Sequence, residues 1–287
     1  MKIWMNGKIV PPDEAKISVL DHGLLYGDGI FEGLRIYGAK IFRLPDHLHR
    51  FATSAKAIGL ELPGGLDAVR QIVLETARAF AESEGYLRLV ATRGVGALGV
   101  DPTTCDNPTL FCIADRIHLY APEKLARGLD MVTASLRRPA ADAVDPRVKS
   151  LNYLNNALAK REAKLRGADE ALILNHAGLV AEASVANVFT VYRGVLSTPP
   201  ASDGSLEGIT RDSVLEIAGA AGIETRVCSL GRFDLLAADE VFISGTGARI
   251  VPIATLDGQT VGKPVRPIMQ TVIDAFGPYT LEHGTAY

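Results

Sequence analysis

Arg147-Val148-Lys149-Ser150-Leu151-Asn152-Tyr153 sets one lysine where a short extended run gives way to a helix. From Ser150 the spacing predicts a helix with Leu151, Leu154, Leu158 and Leu165 near one face, capped by Ser150 or Asn152 and ended by Gly167. A lysine fixed at such a junction among apolar neighbours can be stripped of water. Desolvation favours the neutral amine, which can condense with a carbonyl. Taken alone, the stretch also fits an ordinary surface lysine, one of 30 lysines and arginines.

Length and composition narrow the classes. A chain of 287 residues suits one large domain or two of ordinary size, with 47% hydrophobic and 22% charged residues, as in soluble globular proteins. A net charge of −3 without a basic run gives no nucleic-acid surface. No apolar stretch approaches twenty residues, so neither a membrane span nor a signal peptide is expected. Cys105, Cys112 and Cys228 are odd in number and lack metal-ligand spacing, so a cytoplasmic, disulfide-free protein is expected.

Outward from the lysine, further elements are legible. Asn6-Gly7 predicts a hairpin turn over Lys2 to Val10. A glycine-rich loop, Leu20 to Gly29 and including Tyr26, feeds an alternating strand, Ile30-Phe31-Glu32-Gly33-Leu34-Arg35-Ile36-Tyr37. Gly33 marks either close approach of a ligand or a packing accommodation. Pro45 and Asp46 open a helix on which His47 and Arg50 share a face. Leu66 to Phe80 is a second amphipathic helix. Tyr86, Arg88 and Val90 share one side of a strand, where an arginine needs a carboxylate or an anionic ligand. Ile117 to Arg127 reads as a link to a second domain. There Glu182 precedes a strand over Ala186 to Tyr192. Gly208-Ile209-Thr210-Arg211 begins a helix whose N–H groups suit an anion. Ser244-Gly245-Thr246-Gly247-Ala248 is a turn that can wrap an anionic oxygen.

One long pattern ties these pieces together. It runs from Glu182, Ser184, Asn187, Val188 and Phe189, through Leu196 and Thr198, to Leu206, Gly208, Ile209 and Arg211. The pattern resembles the signature of the class IV, or fold type IV, pyridoxal-phosphate aminotransferases, and the resemblance covers nearly the whole chain. It implies a mixed α/β (α+β) fold. A small N-terminal domain (1–118) and a linker (119–128) would precede a larger domain (129–287) with a barrel-like sheet, the active site lying between the domains. It implies pyridoxal phosphate as cofactor, with Lys149 as the Schiff-base lysine and proton shuttle and Glu182 as partner of the pyridine nitrogen. Arg50, Ile209, Thr210 and Thr246 would bind the phosphate. Tyr153 is similar to the tyrosine that meets the cofactor's O3′, although it stands four residues after the lysine where many branched-chain enzymes have five.

The same resemblance narrows the substrate. Tyr26 to Arg35, together with Tyr86, Arg88 and Thr92-Arg93-Gly94-Val95-Gly96, look like the branched-chain form. Tyr26, Phe31, Gly33, Arg35, Tyr86 and Arg88 would then border the pocket, and Thr246-Gly247-Ala248 would take the α-carboxylate. Partners would be amino acids and 2-keto acids, in a homo-oligomer at least dimeric and completed by a neighbour's loop, for which residues 94–108 are candidates. Lys149 to Asn152 and Ser184 to Phe189 also look like D-amino-acid aminotransferases. Those enzymes carry an Arg-x-His trap where Gly94 to Pro108 has neither residue. (R)-Amine transaminase and aminodeoxychorismate lyase stand as further alternatives.

Overall fold

Asn6 and Gly7, at φ of 51° and 85°, turn the chain between β1 (Lys2–Met5) and β2 (Lys8–Val10). The computed structural model describes residues 1–287. The chain divides into two compact units. The first is Met1–Ile117 with Val148–Asn152 and Thr280–Tyr287; the second is His118–Arg147 with Tyr153–Tyr279.

The first unit continues with α1 (His22–Tyr26), β3 (Gly29–Tyr37), β4 (Lys40–Phe42), α2 (Leu44–Ala57), α3 (Gly65–Phe80), β5 (Gly85–Thr92) and β6 (Thr109–Asp115). The loop expected over Leu20 to Gly29 thus holds one helical turn, because the Asp21 carboxylate caps Gly23 N and Gly27 ends it in the left-handed region. The β3–β5 register sets Gly33 opposite Arg88 and Arg35 opposite Tyr86. Side chains alternate across a strand. Ile30, Leu34, Ile36, Leu87 and Leu89 therefore face Leu44, Leu48 and Phe51 of α2 and Val69 and Val73 of α3 in the core. Phe31, Gly33, Arg35, Tyr86 and Arg88 occupy the opposite face.

The segment carrying Lys149 departs from expectation. Phe31 N donates to Lys149 O (2.9 Å), Leu151 N donates to Gly29 O (2.9 Å), and Ser150 bridges Ile30. Residues 149–151 are engaged along the edge of β3, so they cannot begin a helix.

In the second unit α4 (Pro122–Arg127) and β7 (Leu129–Arg137) lead to α5 (Leu154–Leu165). The expected link therefore contains a short helix with Pro122 in its first turn. Tyr153 is the N-cap of α5 without a side-chain cap bond, so neither Ser150 nor Asn152 caps it; Gly167, at φ 75°, follows its end. The leucine face is also corrected. Leu154 and Leu165 are 70% and 72% exposed, while Asn156, Ala159 and Ala163 are buried. Small side chains let this helix lie close on Val132, Ala134, Ala171 and Ile173.

The rest of the unit is β8 (Glu170–Leu174), β9 (Val180–Ala183), β10 (Asn187–Tyr192), β11 (Val195–Thr198), α6 (Ile209–Ala220), β12 (Thr225–Val227), α7 (Arg232–Ala237), β13 (Glu240–Gly245), β14 (Arg249–Leu256) and β15 (Gln259–Thr260). Then α8 (Pro267–Glu282) returns the chain to β16 (Gly284–Ala286) in the first unit. The first sheet has the order β16-β4-β3-β5-β6-β1-β2, and the second β12-β11-β10-β13-β14-β7-β8-β9, with β15 on β14. No helix is long and apolar enough to cross a membrane.

Candidate active site

In the first unit the backbone pairing with β3 delivers Lys149 to the non-core face of the sheet. Its N–H reaches Ser54 Oγ on α2 (3.3 Å), and its ammonium lies 4.6 Å from the centre of the Phe31 ring. The Arg88 guanidinium stands 4.5 Å from that ring and 5.6 Å from Tyr86, so two aromatic faces partner this arginine. Gly33 makes room for Tyr86, since a Cβ there would stand 2.2 Å from the tyrosine hydroxyl. Arg35 is buried and lies 5.5 Å from the Tyr37 ring. Tyr26 is more exposed; its hydroxyl accepts from Gly99 N at 2.8 Å and so ties down the loop after β5.

Arg50 is held from the core face. Glu32 accepts from Arg50 Nε (2.7 Å) and Nη2 (3.0 Å), and from His47 Nδ1 (2.7 Å). Burial alone would raise the Glu32 carboxyl, but the charges of Arg50 and His47 prevail and hold it well below the usual carboxylate range. Burial pushes His47 below its ordinary value; Glu32 opposes this, and Arg50 and Lys149 add to it. Glu32 escaped the sequence reading. Its one signal was a charge in the inward-facing row of Ile30, Leu34 and Ile36.

The second unit gathers another group. The buried Glu182 accepts from Leu206 N (2.9 Å) and lies 3.2 Å from Arg138 Nη2. Arg138 also donates to Gly204 O (3.0 Å) and to Asn156 Oδ1 (2.8 Å). Asn187 Nδ2 donates to Leu206 O (2.8 Å), and Asn156 Nδ2 to Ser184 O (2.8 Å). Together these bonds pin residues 204–206, the approach to α6. Gly208 is the N-cap of that helix and has no side-chain cap bond; a Cβ there would stand 2.0 Å from Asn187 Oδ1. Ile209 and Thr210 are buried in its first turn, leaving N–H groups that suit an anion. Ser244 Oγ is buried without a partner beside Asn187, its neighbour in the β10–β13 register. Thr246, Gly247 and Ala248 form the turn between β13 and β14. Tyr153, half-buried, stands at the head of α5. Arg138 and Asn156 carry no local pattern, and sequence reasoning missed both.

The model of the amino-transferase class IV family matches residues 29–256. The chain is a class IV aminotransferase. A putative branched-chain-amino-acid aminotransferase of Methanocaldococcus jannaschii is 46% identical over 96% of this aminotransferase and 95% of its own length. The crystal structure of the Escherichia coli branched-chain amino acid aminotransferase superposes with a TM-score of 0.93 at 32% identity, covering 98% of this chain and 95% of that one. The T.th. branched-chain amino acid aminotransferase, solved with N-(5′-phosphopyridoxyl)-L-glutamate, gives 0.90 at 37% identity, covering 98% and 96%. The residues of this aminotransferase fit such a cofactor. The first turn of α6 has no side-chain cap, the buried Ser244 hydroxyl has no partner, and Glu182 is a buried acid aligned by Arg138.

Proposed function

We propose that this aminotransferase exchanges the amino group between branched-chain L-amino acids and 2-oxoglutarate, with pyridoxal phosphate as cofactor. The carrying observation is the aromatic wall of the first unit, where the Lys149 ammonium and the Arg88 guanidinium lie 4.6 Å and 4.5 Å from one ring, Phe31. An apolar wall suits the side chains of leucine, isoleucine and valine, and Arg88 at its edge suits the γ-carboxylate of glutamate. The names of the relatives support the same substrate class.

Each residue has a chemical task. Arg50, the N–H groups of Ile209 and Thr210, and Thr246 would each hold phosphate oxygens. Glu182 would keep a proton on the pyridine nitrogen, and Tyr153 would donate to the ring oxygen. When bound, the cofactor supplies a carbonyl that captures the amino group and a ring that accepts the electron pair left at Cα. Lys149 would take the Cα proton and return it. The Thr246-Gly247-Ala248 turn offers N–H groups to the α-carboxylate. One site serving donor and acceptor in turn gives ping-pong kinetics.

The assembly is at least a homodimer, in the cytoplasm. Leu98 and Val100, 78% and 79% exposed in the loop after β5, supply apolar surface for a second copy. A panel of L-leucine, L-glutamate, D-alanine and (R)-1-phenylethylamine tests the substrate, each with 2-oxoglutarate except L-glutamate, which is given 4-methyl-2-oxopentanoate. L-Leucine and L-glutamate react under the proposal; turnover with D-alanine or the amine alone overturns it.

A further inference from the structure

The core face of β3 contains a charge where aliphatic packing is otherwise continuous. Glu32 is 1% exposed in the row of Ile30, Leu34 and Ile36. A carboxylate in that position is untenable without partners, and a hydrophobic residue would pack there at least as well. Its partners come from α2. Arg50 Nε meets Oε1 at 2.7 Å and Nη2 meets Oε2 at 3.0 Å, a two-bond contact that fixes the plane of the guanidinium.

His47 then fixes the carboxylate. A carboxylate only accepts, so the 2.7 Å contact places the imidazole proton on Nδ1. The other ring nitrogen, Nε2, is buried without a partner, so the imidazole spends its hydrogen bonding on Glu32. With Oε2 shared by His47 and Nη2 and Oε1 taken by Nε, the carboxylate cannot rotate without breaking a charge-assisted bond. The trio therefore aims one residue, Arg50, whose side chain remains 13% exposed while that of Glu32 is 1% exposed.

We propose that Glu32 and His47 are positioning residues for Arg50, and that through it they set the preference for a phosphorylated cofactor over its unphosphorylated form. The proposal rests on the reading of Arg50 as a phosphate holder. It is tested on purified protein resolved of its cofactor, by measuring dissociation constants for pyridoxal phosphate and for pyridoxal.

Arg50→Ala, Glu32→Gln and His47→Leu should each weaken pyridoxal phosphate by about tenfold or more, and pyridoxal by less than about twofold. His47→Asn, whose amide N–H replaces Nδ1–H, should retain the preference. If Arg50→Ala abolishes the preference while Glu32→Gln and His47→Leu keep it, or lose both ligands equally, the proposal is overturned. If Arg50→Ala itself keeps the preference, the reading of Arg50 is what fails. Thermal scans identify any variant that does not fold, and the isosteric Glu32→Gln is then the deciding one.

Discussion

Arg138→Met should be among the most costly single changes in the second unit. The arginine and Glu182 have side chains 10% and 6% exposed, so solvent compensates neither charge. The substitution removes two N–H donors, to Gly204 O and Asn156 Oδ1, together with the ion pair to Glu182, and leaves Glu182 with Leu206 N as its hydrogen-bond donor. Breaking a buried pair from one side costs about 3–5 kcal/mol, because the other charge is left unpaired. For a unit of this size that corresponds to a fall of roughly 10 °C in Tm. The assay is urea denaturation of wild type, Arg138→Met, Glu182→Gln and the double variant. Neutralising Glu182 removes the unpaired charge, so the double variant should recover about 2 kcal/mol relative to the sum of the single ones. Additivity within about 0.5 kcal/mol would show that the pair is not coupled and refute the reasoning.

Lys149→Ala should keep the fold and lose the visible absorbance of lysine-bound cofactor, with turnover down by at least about 10²–10⁴-fold; a variant that still cycles at the wild-type rate removes Lys149 from the mechanism. Acid should destabilise the first unit through two groups. The Glu32 carboxyl is depressed in the folded state, so its contribution is present above its ordinary value of 4.5 and is lost as pH falls from there through the folded value. His47 is also depressed, so below its ordinary value of 6.5 the unfolded chain takes a proton that the folded one refuses, and stability falls as pH drops towards the folded value. Denaturation midpoints should decline from pH 7 to about pH 2, and Glu32→Gln should flatten the part below pH 4.5; parallel profiles for the two proteins in that range would count against the assignment of Glu32.

The parts of this site that were legible in the sequence are those whose identity is imposed by immediate neighbours. Gly208 has no room for a Cβ against Asn187, and Asn187 holds Leu206 O, so the spacing from Glu182 to Arg211 records contacts that tolerate few residues. Alternation likewise placed Tyr86 and Arg88 on one side of β5. Periodicity failed on α5 because it finds stripes without saying which one is buried. The helix has a leucine stripe and an alanine stripe, and close packing on β7 and β8 selected the alanines. Glu32 and Arg138 were illegible for a different reason. A buried charge acquires its meaning from partners distant in sequence, as with Glu32 and Arg50, 18 residues apart.

Lys149 itself was found by pattern but misplaced in local structure, and the difference has a consequence. A helix cap would make its position a property of α5, whereas bonding to β3 makes it depend on Gly29. A Cβ on Gly29 would stand 2.6 Å from Ala91 O, 2.7 Å from Leu151 Cδ1 and 3.0 Å from Thr92 Cα. Two of those atoms are backbone of β5 and cannot yield, so Gly29→Ala must push the start of β3 away from β5. Gly29 O moves with it, and that oxygen receives Leu151 N. Overpacking of this kind costs about 1–3 kcal/mol, a modest loss of Tm. A misplacement of about 1 Å at a reacting group costs about 10²-fold in rate. Gly29→Ala should therefore lose far more kcat than stability, read from steady-state kinetics beside a thermal scan. A variant that keeps kcat within about threefold while its Tm falls would show that the β3 edge does not set the position of the lysine, because a shift well below 1 Å would then separate the two.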